Sequence, residues 1–199
     1  MKKLLLTTAA IAAFCASTTS YGSEDSEFFM SANTGWSKTA TVQEYKSNND
    51  MYLGLGFGYY INPNIRMSLV FDHFLKPTHK KTQANKTSTA KGTINTLLLN
   101  GFVDAFKAES FKLFVGAGVG AGQVKTKLTI EGHDESLEYK NQIGLAFAVY
   151  VGASYELTDG VIGEVSYSYR GLGKGKTPTD YKDFDYTGNH IGAGIRFNL

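Results

Sequence analysis

The stretch Met51–Ile61 alternates with a period of two. Its odd positions are Met51, Leu53, Leu55, Phe57, Tyr59 and Ile61; its even ones are Tyr52, Gly54, Gly56, Gly58 and Tyr60. In an extended strand successive side chains point to opposite faces, so one face here is apolar and the other is glycine and tyrosine. Lys112–Val124 repeats the design, with Leu113, Val115, Ala117, Val119 and Ala121 against Phe114, Gly116, Gly118, Gly120 and Gly122. A water-soluble sandwich turns its apolar face inward and its polar face outward. A glycine ladder is too small and too weakly polar to be a solvated exterior. It suits the inside of a narrow barrel, where large side chains from facing strands need room.

The same alternation marks further strands. They are Phe28–Trp36, Ile65–Leu75, Gln142–Leu157, Val161–Arg170 and a last one carrying Ile191, Ala193, Ile195, Phe197 and Leu199 on one face. A strand over Thr93–Val103, with Leu97 and Leu99 outward and Asn100 inward, brings the number to eight. The connections alternate in length. Short links fall at Asn62–Asn64, Asp104–Ser110 and Thr158–Gly160, and long polar ones at Ser37–Asp50, Lys76–Gly92, Lys125–Asn141 and Gly171–Asn189. Short turns at one end and long loops at the other are the pattern of a transmembrane barrel with both termini in the periplasm. Closure satisfies every backbone group in lipid. The expected fold is therefore all-β, a closed eight-stranded antiparallel transmembrane β-barrel. Trp36, Tyr59, Phe71, Tyr155, Tyr167, Tyr169 and Phe197 face outward and suit the interfacial aromatic girdles of such a barrel.

The N-terminus has a different character. Lys2 and Lys3 precede an apolar run from Leu4 to Ala16, and Ser20 and Gly22 are small residues ahead of a cut before Ser23. This reads as a cleavable signal peptide over residues 1–22, leaving 23–199 as the barrel domain. Cys15, the one cysteine, leaves with it, so no disulfides are expected. Removing Lys2 and Lys3 from the 20 basic residues leaves 18 against 18 acidic ones. A neutral mature chain argues against nucleic-acid binding.

The order and spacing of Met51–Tyr60, Leu97–Phe102, Phe114–Gly120, Glu164–Arg170 and Ile191–Phe197 resemble the opacity-type and surface-antigen family of small outer-membrane β-barrels of proteobacteria. The resemblance implies outer-membrane localisation and a surface role as adhesin, surface antigen or structural barrel. It also implies that the last strand is read by the barrel-insertion machinery; the usual terminal aromatic is replaced by Leu199.

Chemical motifs are sparse. Gly171–Thr177 looks like a phosphate-binding loop, but Arg170 stands where the first glycine belongs. The histidines are His73, His79, His133 and His190, none with a His-x-Ser pairing; His73 is the best candidate for the histidine of a lipid A-modifying enzyme. No catalytic residue, metal site or cofactor is expected. Six charged residues fall on inward faces: Arg66, Asp72, Glu156, Glu164, Arg170 and Arg196. Inside a narrow barrel they must be paired or hydrated. Glu164 and Arg196 are expected to meet near the periplasmic end, with Arg66 and Glu156 completing a cluster and no stable pore remaining. The link Lys76–Gly92 carries Lys76, Lys80, Lys81, Lys86 and Lys91 with no acid, and suits a polyanion such as a sulfated host glycan or lipopolysaccharide phosphates. The expected partners are outer-membrane lipid and lipopolysaccharide, the insertion machinery, and a host surface glycan or protein. A small diffusion channel and a lipid A-modifying enzyme are the alternative functions.

Overall fold

The computed structural model describes residues 27–40, 49–75, 78–83, 86–130, 137–138, 142–176 and 183–199. They form β1 (Phe28–Ala40), β2 (Asn49–Asn62), β3 (Ile65–Leu75), β4 (Thr78–Gln83), β5 (Lys86–Ala108), β6 (Phe111–Ile130), β7 (Leu137–Glu138), β8 (Gln142–Thr158), β9 (Val161–Lys176) and β10 (Asp183–Asn198). The expected signal peptide lies outside the described residues. Every pairing is antiparallel. The eight long strands run β5-β3-β2-β1-β10-β9-β8-β6, and β5 pairs with β6 to close the circle. The first and last strands lie side by side, Leu199 N donating to Phe28 O at 2.9 Å. The short strands β4 and β7 add to β5 and β6 beyond the barrel.

At one end the hairpins are tight. Asn62 Oδ1 accepts from the backbone N–H of Asn64 and Ile65 at 2.8 and 2.9 Å, an Asx turn around Pro63. Gly160 turns β8 into β9 at φ 75°, a left-handed conformation that suits glycine. Between β5 and β6 the expected link Asp104–Ser110 is mostly strand, and only Glu109 and Ser110 turn. The opposite end differs more from expectation. Much of Lys76–Gly92 is a hairpin, running from Thr78↔Lys91 to Gln83↔Lys86. β6 extends to Ile130 and β9 to Lys176. The hydrogen-bonded ladder continues through these extensions.

The facing follows the alternation. Leu55 and Ile143 are 65% and 75% exposed, whereas Leu98 is at 0%. Large apolar side chains therefore cover the outside, and Trp36, Tyr59, Tyr155, Tyr167 and Tyr169 are exposed there. Phe71 sits mid-span between Leu55 and Leu97, and Phe197 is half-buried. Inside, Tyr52, Phe74, Ile94, Val124 and Leu172 form an apolar cluster near the long-loop end. Glycine makes room for it. A Cβ at Gly35 would meet the backbone of Ile191 and Gly192 and the ring of Tyr52, and one at Gly120 would meet the backbone of Leu97.

Gly120→Val is expected to block folding, because its Cβ meets main chain that cannot move aside. Ala121→Val, one residue away on the outer face, is expected to fold normally. Heat-modifiable mobility on gels after refolding into lipid measures both; equal folding of the two variants would contradict the facing.

Candidate functional site: lumen charge layers and the long-loop ribbon

Alternation brings charged side chains from β3, β5, β9 and β10 into the lumen at two levels. Near the tight-turn end, Arg66 donates to Asp104 at 2.6 Å and to Glu164 at 3.2 Å, while Arg196 donates to the same Glu164 oxygen at 2.7 Å. Both guanidinium groups also lie against rings. Arg66 stands over Phe102 and Phe114 at 4.8 and 4.7 Å, and Arg196 over Phe29 and Tyr60 at 5.4 and 5.6 Å. Two cations face two carboxylates in direct contact, and the half-buried Lys112 lies close enough to interact with Asp104, Arg196 and Glu156.

The second level is one buried pair. Arg170 donates to Asp72 at 2.8 Å and to Ser168 at 3.0 Å, with its charge 4.7 Å from the Tyr52 ring centre and 5.3 Å from that of Tyr150. Between the levels lies a cavity of about 70 Å³, lined in part by Ser31, Asn33, Ser68, Asn100, Ser166 and Tyr150. Its lining mixes these polar groups with apolar ones such as Val70 and Phe102, and it is roomy enough for a few waters. Beyond Arg170 the apolar cluster fills the cross-section, with His190 packed edge-on against Tyr52 and Phe74 at 5.9 and 5.7 Å.

The structure thus brings together Arg66, Glu164 and Arg196, and separately Asp72 and Arg170. It does not bring Glu156 in. A register shift follows Glu156, which is exposed at the rim and apart from the cluster. Its place is taken by Asp104, which the sequence reading left in a turn. Asp104 shares the phase of Asn100 and Phe102, so continuing the alternation would have found it. β10 begins at Asp183, within the expected link Gly171–Asn189, and His190 is buried mid-strand. His73 faces outward and shares a hydrogen bond with Asn95 Oδ1 at 2.6 Å. His133 lies outside the described residues.

Of the five lysines, Lys76 lies outside the described residues. Lys80 and Lys81 are in β4, opposite Thr89 and Ser88, and Lys86 and Lys91 are in β5, opposite Gln83 and Thr78. Sequence reasoning took the stretch for a loop because nothing apolar marks its strands.

A closed antiparallel barrel with an apolar exterior and a charge-paired lumen is a membrane-spanning barrel of the outer-membrane type. The family model described as outer membrane protein beta-barrel domain matches residues 6–197, and the chain belongs to that family. A Rickettsia rickettsii protein named as a candidate adhesin is 33% identical over 224 aligned residues, covering 100% of both chains. A Rickettsia felis protein with the same kind of name is 31% identical over equal coverage. In fold, the chain is similar to Neisserial surface protein A, with a TM-score of 0.61 and 18% identity over 86% of this chain and 97% of that one. It is also similar to the attachment invasion locus protein of Yersinia pestis solved with the heparin analogue sucrose octasulfate. There the TM-score is 0.54 and the identity 15%, over 86% of this chain and 99% of that one. The chain is an outer-membrane β-barrel surface protein.

Glu164→Gln removes the charge that both Arg66 and Arg196 share. It is expected to cost about 2–4 kcal/mol, the lower part of the range reflecting the partial exposure of Glu164. Glu156→Gln should stay within roughly 0.5 kcal/mol. Urea unfolding of the barrel refolded in lipid vesicles reads both values.

Proposed function

We propose that the protein acts at the cell surface as an adhesin-type barrel whose external segments engage a polyanionic host glycan. The lumen, blocked at both charge levels and by the apolar cluster, is the observation that carries this reading. Two charge layers and an apolar cluster close the barrel's length, so the interior serves rigidity and function falls to the external end. There Lys76, Lys80, Lys81, Lys86 and Lys91 place five positive charges on 17 residues of a neutral mature protein. The names of the rickettsial relatives and the heparin analogue bound by the Yersinia protein support the same direction.

Residues 1–22 are assigned as the cleaved signal peptide. Within its family we place the chain with the opacity-type and surface-antigen barrels, on the order of its strand motifs. The outward Ile195 and Phe197 of β10 are the features we assign to recognition by the insertion machinery.

Heparin retention of the wild type should exceed that of Lys80→Gln/Lys81→Gln/Lys86→Gln and fall steeply with salt, as screened charge contacts do. Equal retention of the two at low salt would remove the glycan reading. The alternative of a small diffusion channel is tested separately: the pure monomer in a planar bilayer should give no steady ohmic conductance. A comparison of lipid A by mass spectrometry, with and without the protein, should detect no modification; an altered lipid A would favour the enzyme reading instead.

A further inference from the structure

Between the tight-turn mouth and Arg170 the inward charges do not balance. Among the described residues, Arg66, Lys112, Arg170 and Arg196 face Asp72, Asp104 and Glu164 there, which leaves one positive charge over. Lys107 and Glu156, of opposite sign, are exposed at the mouth and offset each other. Lys112 is the unmatched member. It stands on the inward phase of β6, opposite Lys107 on β5 and Ser154 on β8. Among the described residues it makes no ion pair.

The cavity between the two charge levels meets this surplus with donors. Arg66, Arg170 and Arg196 all line it, against a single acid, Glu164. One oxygen of that carboxylate is already shared by Arg66 and Arg196. Arg196 is 1% exposed, yet its Nε has no hydrogen-bond partner. Ser31, Ser68, Ser166 and Tyr150 bring hydroxyl groups to the same space. The unpartnered oxygens of Asn100 and Asn33 lie along the wall instead, over Gly118 and Gly54 of the neighbouring strands.

A surplus cation in a narrow, poorly hydrated bore is costly, and so is a buried N–H without an acceptor. Water solvates both but neutralises neither. A small anion does both at once, because bonds from a guanidinium to an anion are charge-assisted. The cavity, at about 70 Å³, has room for an ion of halide size with water beside it. We propose that this chamber is a binding site for a small monovalent anion, held by Arg196 and the chamber hydroxyls and balancing the charge of Lys112. The bound ion ties the two charge levels into one plug. The site is internal, so it goes beyond the glycan reading and stands whether or not that reading holds.

The test unfolds the refolded full barrel with urea at constant ionic strength, exchanging sodium gluconate stepwise for sodium bromide. Gluconate is too large for the chamber, and bromide fits. Heat-modifiable mobility verifies that each variant is folded. For the wild type the unfolding constant should fall by about tenfold per decade of bromide once the site fills. Lys112→Gln removes the surplus charge, and Ser68→Val/Ser166→Val removes two donors and takes up space; each should lose most of that dependence. Lys125→Gln, at an exposed position further along β6, should keep it. Crystals of the wild type grown in bromide should show an anomalous peak inside the chamber. Equal unfolding in bromide and gluconate, or a chamber holding water alone, would overturn the proposal. So would full bromide dependence in the folded Lys112→Gln variant, or an equal loss in the Lys125→Gln control.

Discussion

Everything in this molecule depends on closing the hydrogen-bond ladder. Lipid offers no partner for a backbone N–H or C=O, and an open sheet edge in a bilayer is correspondingly costly. The β1–β10 and β5–β6 pairings remove the edges, with β1 and β10 in register from Phe29↔Asn198 to Ala40↔Thr187. Closure with eight strands fixes a lumen just wide enough for side chains to fill. The glycine ladders, inward rings and paired charges all follow from that narrow bore.

Given the bore, charge inside has to be neutralised within each level. The carboxylate of Glu164 serves two guanidinium groups, and Asp104 relieves one of them. Aromatic faces take up the remaining sides of the cations. Such arrangements give little net stability compared with apolar packing, but losing one member exposes the rest. They fix a single arrangement of the strands, which suits a scaffold whose task lies at its external end.

Much of this could be read from the chain because lipid imposes a strict two-residue period. Tyr52 against Leu53 and Asn100 against Leu99 were each assignable to a face from their neighbours. The reading failed where lipid stops. Asp104 lies just past the apolar run of β5, and β4 has no apolar residue to mark it, so both were assigned to links. Glu156 failed for another reason: it keeps its register opposite the buried Ile162, but it sits next to the turn at the mouth of the barrel, where it is exposed. The pairing of Lys91 with Lys127 could not be foreseen, because it depends on how far β5 and β6 stay in register beyond the barrel.

The ring of Tyr52 lies over Gly35 and Gly192 on two other strands, so its bulk and their lack of side chains are one fact distributed over three positions. Lumen volume in such a barrel is conserved per level, not per residue. A smaller side chain at position 52 would relax the demand for glycine at positions 35 and 192, and a larger one there would have nowhere to go. Drift in the interior must therefore proceed by matched exchanges across neighbouring strands, while each position of the lipid-facing exterior varies alone within the limits of hydrophobicity.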